Sequence, residues 1–178
     1  MVSGCCVWFT GLPCAGKSTL AQHIARSLES SGLEVVLLDG DAVRQSVSAD
    51  LGFSRRDRDA NVARIARLAA EVVGRGGIAI CALVSPYREA RASAREIVSS
   101  ANFIEVFVDT PLEVCEARDV KGMYKLARAG VLDHFTGVSD PYEPPLNPEI
   151  HVVGAGDPAD VIRPVLEAIQ RRNGAVAS

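Results

Sequence analysis

The stretch that most narrows what this chain can fold into is Gly11-Leu12-Pro13-Cys14-Ala15-Gly16-Lys17-Ser18. It satisfies G-x-x-x-x-G-K-[ST], the spacing of a phosphate-binding loop. The two glycines let the backbone curl until successive N–H groups point at one anion. Lys17 adds a positive charge for the β- and γ-phosphates, and the Ser18 hydroxyl is set to ligate Mg²⁺. Such a loop belongs between a buried strand and the start of a helix, and both flanks are present. Cys5-Cys6-Val7-Trp8-Phe9 is a short apolar run, and Leu20, Ile24 and Leu28 follow at helical spacing. That helix turns its positive end toward the phosphates. Gly11, Cys14, Ala15, Gly16, Lys17, Ser18 and Thr19 are therefore the expected ATP-binding residues.

The rest of the chain keeps alternating strand and helix. Glu34 to Asp39, Ile78 to Val84, Phe103 to Asp109 and Ile150 to Val153 read as strands. Asn61 to Val73, Glu89 to Val98, Pro111 to Arg118 and Pro158 to Ile169 read as helices, with Pro164 predicting a kink or a later start in the last. This pattern predicts an α/β chain, a parallel doubly wound sheet flanked by helices in three layers, of the P-loop nucleoside-triphosphate hydrolase type. A length of 178 residues suits one domain over 1–178. Two segments break the alternation. Residues 118–137 are rich in Lys, Arg and Gly with few core-facing residues, and read as a mobile basic lid. Residues 139–148 hold Pro141, Pro144, Pro145 and Pro148 and must be an extended loop. The tail after Arg172 is expected to be disordered.

A net charge of −3 offers no electrostatic case for nucleic acid or an acidic membrane. The cysteines (Cys5, Cys6, Cys14, Cys81, Cys115) are odd in number and form no C-x-x-C pair, as expected for reduced small hydrophobes in a cytoplasmic protein. Cys14 differs by its place in the phosphate loop, where oxidation or alkylation would obstruct a nucleotide. No segment reaches the length of a membrane span, and the apolar N-terminus lacks the basic region of a signal peptide.

Chemistry beyond the loop gathers at the carboxyl ends of the strands, where ligands of such sheets bind. Strand two ends in Leu38-Asp39-Gly40-Asp41-Ala42-Val43-Arg44. One of the two carboxylates could order a metal-bound water and the other accept a proton from an attacking hydroxyl. A helix N-cap accounts for one aspartate but not both. Phe53, in a polar stretch, reads equally as a stacking platform or a core side chain, and Arg58 and Asn61 share a face of the helix that follows. Ser54 or Asp57 is its expected N-cap. Strand three ends at Val84-Ser85, on the edge that carries the phosphate loop. Arg88, Arg91 and Arg95 make a stripe that reads as a solvated face.

Together these residues resemble the adenylylsulfate (APS) kinases over nearly the whole chain. The likeness runs through the phosphate loop, Leu38 to Arg44, Leu51-Gly52-Phe53-Ser54 with Asp57-Arg58 and Asn61, Ser85-Pro86-Tyr87-Arg88, and Glu105 to Asp109. It continues through Val114 to Lys125, Ala127 to Gly130, Phe135-Thr136-Gly137 and Asp140 to Pro145. The resemblance implies transfer of the γ-phosphate of MgATP to the 3′-hydroxyl of APS, giving 3′-phosphoadenosine 5′-phosphosulfate (PAPS) and ADP. It implies that Asp41, Arg44, Phe53, Arg58, Asn61, Val84, Ser85, Lys121 and Phe135 bind APS, with Phe53 and Phe135 sandwiching its adenine. Arg118 and Arg128 would lie near ATP, and Ser18, with Asp39 through water, would hold Mg²⁺. Lys17, Asp41, Ser85 and Lys121 are the implied catalytic residues, Lys121 bridging donor and acceptor phosphates from the lid. Ser85 matches the position assigned to a phosphoserine intermediate, but no base is evident for it, and direct in-line transfer is expected. A homodimer, and an ATP sulfurylase as fused or separate partner, are further implications.

The sequence departs from the family pattern in places. Ala42 stands where Asn is common, Leu83-Val84 where Phe-Ile is usual, and Leu126 in place of a lid lysine. Leu132-Asp133-His134 is less basic than its counterpart. Other small hydroxyl acceptors, such as a nucleoside, gluconate or an antibiotic, would suit the same loop. A GTPase switch would not, because its N-K-x-D element has no match: no Asn-Lys pair occurs.

Overall fold

Strand β1 (Cys5–Thr10) is buried at every position, so both of its faces must be covered. The structure, a computed structural model describing residues 4–153 and 157–174, supplies the covers. Besides β1, the strands are β2 (Val35–Asp39), β3 (Ile78–Ala82), β4 (Phe103–Asp109) and β5 (Ile150–Val153). They form one sheet of order β2-β3-β1-β4-β5, and every pairing is parallel. Cys5, Val7 and Phe9 of β1 enter one core, under α1 (Lys17–Leu28) and α7 (Pro158–Gly174). Cys6 and Trp8 enter the other, under α3 (Arg55–Gly74) and α4 (Arg88–Val98). The alternation of a pleated strand thus feeds two cores at once. Thiols share that burial: it pushes Cys5 up to about 12 and raises Cys6 and Cys115. Among the described residues all five cysteines are free, and only Cys14 is not buried.

Several boundaries differ from the sequence expectation. The helix read over Asn61 to Val73 starts at Arg55 in α3, capped by Ser54, one of its two expected N-caps: the Ser54 hydroxyl accepts from Asp57 N–H and donates to the Asp57 carboxylate. The strand ending at Val84 stops at Ala82, so residues 83–85 leave the sheet as cavity wall. Two short helices were not foreseen, α2 (Gly40–Ser46) and α6 (Met123–Arg128). Helix α7 passes through Pro164 and on past Arg172 to Gly174. The remainder of the tail expected to be disordered lies outside the described residues.

Two readings need correction. The arginine stripe on α4 is only in part a solvated face: Arg88 is exposed, Arg95 half-buried and Arg91 buried. Arg91 is 3% exposed, and its Nε donates to Glu105 Oε1 at 2.9 Å. Arg88 Nε donates to the Pro144 carbonyl, and Arg95 grips Glu149 through two bonds of 2.7 and 2.8 Å. The stripe anchors the proline-rich loop, whose carbonyls cannot find partners in a strand or helix. The lid, in turn, has more core-facing residues than its composition suggests. Tyr124, Ala127 and Phe135 are buried in the α1-side core, with Met123 and Leu132 packed against it. Helix α5 (Leu112–Arg118) leads into the lid, and the Asp119 carboxylate caps α6 by accepting from Tyr124 and Lys125 N–H.

Candidate active site

The phosphate loop is held open by its carbonyls. Those of Gly11 and Leu12 accept from Lys17 Nζ at 3.0 and 2.7 Å, and that of Pro13 from the Tyr124 hydroxyl at 2.9 Å. Those of Cys14 and Ala15 accept from Arg118 Nη1 and the Thr110 hydroxyl. Five successive carbonyls are committed to protein donors and Ala15 N–H to the Leu12 carbonyl, which leaves the N–H groups of Gly16 to Thr19 for an anion. Gly11 is required by close approach: a Cβ there would lie 2.6 Å from the Val108 carbonyl oxygen. Cys14 (φ 62) and Gly16 (φ 103) take the left-handed turns of the loop. Lys17 is buried, which lowers its ammonium to about 8. Two of its three protons are committed, leaving the third for a phosphate oxygen.

Ser18 Oγ donates to Asp39 Oδ2 at 2.6 Å, while Asp39 Oδ1 accepts from Asp41 and Ala42 N–H. Asp39 is therefore both helix cap and partner of the Ser18 hydroxyl. Asp41, two residues on, is exposed and paired with Lys121 Nζ at 2.5 Å, which raises the Lys121 ammonium. This pair joins α2 to the lid across the cavity mouth.

The cavity runs from the phosphate loop to a second half, with a volume of about 820 Å³. Arg44, Phe53, Arg58, Asn61, Val84, Ser85 and Phe135 line that half. The two guanidiniums lie over the Phe53 ring, their Cζ atoms 4.6 and 5.7 Å from its centroid. Burial lowers Arg58, and Arg44 beside it lowers it further. Arg44 donates to the Gly52 carbonyl, and Arg58 to those of Phe53 and His134. Among the described residues neither forms a salt bridge with a carboxylate. Asp57 and Asp41 act on Arg44, and Asp140 on Arg58, only from beyond ion-pair distance, so two adjoining half-buried cations without a contacting carboxylate make a site for an anion. Asn61 is 5% exposed and its Oδ1 has no hydrogen-bond partner, the signature of a group that a ligand satisfies. Phe135 is held edge-on by Tyr124, ring centroids 4.9 Å apart.

Ser85 is 3% exposed, and its Oγ accepts from the Trp8 indole N–H at 3.1 Å. Among the described residues no base contacts this hydroxyl, so nothing here activates it as a nucleophile.

The structure thus brings to one cavity Cys14, Ala15, Gly16, Lys17, Ser18, Thr19, Asp39, Asp41, Arg118 and Lys121, together with the second-half residues just described. Two expected residues are not on its wall. Gly11 is packed against β4, and Arg128 is turned to Glu116, to which its Nε donates at 2.9 Å. Sequence reasoning missed Val152, Pro158 and Val161, which form an apolar wall on the phosphate-loop side, because apolar residues give no signal apart from the core. It also missed Thr136, whose fully buried Oγ1 has no partner.

Comparison with known proteins agrees with this geometry. The family model described as adenylylsulphate kinase matches residues 3–153. An adenylyl-sulfate kinase of Synechococcus sp. (strain JA-3-3Ab) is 56% identical over 147 residues, 83% of this chain and 82% of that protein. The bifunctional enzyme NodQ of Rhizobium meliloti is 45% identical over 94% of this chain, but over only 26% of its own length. Among solved structures, the Mycobacterium tuberculosis APS kinase in complex with AMPPNP and APS superimposes with a TM-score of 0.91. It is 40% identical, over 96% of this chain and 99% of that one.

Proposed function

This chain belongs to the adenylylsulphate kinase family, and from that premise we propose how its cavity divides the work of moving the γ-phosphate of MgATP to the 3′-hydroxyl of APS. The phosphate-loop half takes the donor. Its N–H groups and Lys17 hold the β- and γ-phosphates, and Arg118 lies beside the loop. Ser18 and Asp39 fit a magnesium ion, a hydroxyl and a carboxylate already 2.6 Å apart; when bound, the ion neutralises charge on the β- and γ-oxygens. The second half takes APS. The single observation that carries this assignment is the Arg44–Arg58 pair, half-buried and in no salt bridge among the described residues, suited to a phosphosulfate. Phe53 and Phe135 hold the adenine, and Asn61 Oδ1 accepts a hydrogen bond from the acceptor nucleotide. Asp41 accepts the proton of the attacking hydroxyl, and Lys121 bridges the phosphates. Arg128, off the cavity wall, has no role in this reading.

Transfer is direct, in line, without a phosphoserine. The Trp8–Ser85 bond supports this, because it engages the Ser85 oxygen with a donor and no base. Ser85→Ala should keep kcat within about tenfold of the parent. It should also cost about 1–3 kcal/mol of stability by leaving the buried indole N–H unpaired, which thermal unfolding would read. Loss of all turnover in a folded Ser85→Ala protein would favour the phosphoserine route.

A coupled assay for ADP release tests the function. MgATP with APS should give ADP and PAPS, while adenosine, gluconate and shikimate give nothing. Absence of ADP release with APS sinks the reading. We place the enzyme in the cytoplasm as one kinase domain in a homodimer; among the described residues no helix is long and apolar enough to cross a membrane. A bifunctional relative supports the view that such modules work joined to a second activity, here an ATP sulfurylase.

A further inference from the structure

The cavity wall at residues 84–85 has an unfavourable backbone. Ser85 sits at φ 39, in the region L side chains avoid, and Pro86 after it restricts the choice further. Such a conformation persists only where its surroundings over-determine it. Here the surroundings are buried polar side chains from three other elements. Thr10, at the end of β1, donates to the Val84 carbonyl at 2.8 Å, and its hydroxyl meets the Tyr142 hydroxyl at 2.9 Å. Trp8 fixes Ser85 Oγ. Arg91 of α4 donates in three directions: to the Ser85 carbonyl at 2.6 Å, the Glu143 carbonyl at 2.6 Å and Glu105 Oε1 at 2.9 Å.

Burying an arginine and a glutamate together brings little net stability over an apolar pair. The planar fork does something an apolar side chain cannot. It ties the strained carbonyl of the wall to the proline-rich loop on one side and to β4 on the other. We propose that Arg91 is a positioning residue for the acceptor nucleotide, holding the Ser85 main chain so that Val84 and Ser85 present the wall against which APS seats. This rests on the reading of the second half as the APS site. The Ser85 hydroxyl can then be dispensable while the Ser85 backbone is not.

Steady-state kinetics of Arg91→Lys test this. Lysine keeps the charge opposite Glu105 but cannot donate in three fixed directions. The KM for APS should rise about tenfold or more, with the KM for MgATP within about twofold of the parent. Arg95→Lys, on the same helix, touches Glu105 at 3.6 Å and grips Glu149 but makes no bond to the Ser85 carbonyl, and should leave both values within about twofold. Ser85→Gly removes the penalty on the left-handed backbone, so adding Arg91→Lys to it should raise the APS KM by no more than about threefold. If Arg91→Lys does not fold, Glu105→Gln takes its place and should raise the APS KM about threefold. An active parent whose folded Arg91→Lys or Glu105→Gln protein keeps its APS KM, losing only thermal stability, overturns the assignment. A parent inactive with APS overturns the acceptor reading itself, and the two failures are therefore distinct.

Discussion

Changing Asp41 to asparagine is expected to lower kcat by about 10³, near 4 kcal/mol of transition-state stabilisation, with MgATP affinity within about twofold of the parent. The two aspartates after β2 have separate duties. Asp39 is committed on both oxygens, one to the first turn of α2 and one to Ser18. Among the described residues the Asp41 carboxylate is bonded only to Lys121, an exposed residue of the lid segment, so it is the one free to take a proton. Asparagine keeps the shape and cannot take that proton. The exposed ion pair lost with it contributes little to folding, so the melting temperature should hardly move. Equilibrium binding of MgATP, single-turnover chemistry and a thermal melt separate these statements. Near-normal turnover in Asp41→Asn removes the base from this scheme and leaves positioning and charge to do the catalysis. Asp39→Asn should behave differently, losing MgATP affinity and stability together.

The donor half was legible in the sequence because its motif is local. Loop, flanking strand and following helix lie within residues 5–28, and the spacing of Gly16, Lys17 and Ser18 is itself the mechanism. The strands and the parallel, doubly wound class of the sheet followed from apolar runs alternating with helices, whereas the order β2-β3-β1-β4-β5 did not. Arg91 was not legible. Arginines at i, i+3 and i+7 look the same whether they face water or a loop, and what buries them is a segment some 50 residues on, shaped by its prolines. Helices α2 and α6 are short and rest on carboxylate caps, Asp39 and Asp119, which composition does not separate from loop aspartates. The acceptor half was legible only as scattered polar residues with even odds, and the family resemblance gave them a common purpose. The structure adds what spacing could not: Arg44 and Arg58 share one aromatic ring and form no salt bridge among the described residues.

Removing the Lys17 ammonium, as in Lys17→Met, should lower kcat by about 10²–10³, the usual effect of deleting one preorganised donor to a developing charge. A second expectation concerns pH. Burial holds Lys17 at about 8 rather than 10.5, so the free enzyme carries this charge below that value and loses it above. The phosphates of a bound nucleotide favour the charged form and raise its pKa. MgATP affinity should then be flat near neutrality and weaken by up to about tenfold per pH unit above 8, with uptake of one proton on binding. Folding moves the opposite way. Between 8 and 10.5 the native chain binds fewer protons at this group than the unfolded chain, so Lys17 alone makes the free protein more stable as pH rises through that window. Calorimetry at about pH 8.5 in two buffers of different ionisation enthalpy measures the proton directly. Lys17→Met should bind MgATP weakly at every pH and take up no proton. An affinity in the parent that stays level across this range, with no proton uptake, would mean that Lys17 remains charged in its buried place, held by the carbonyls of Gly11 and Leu12.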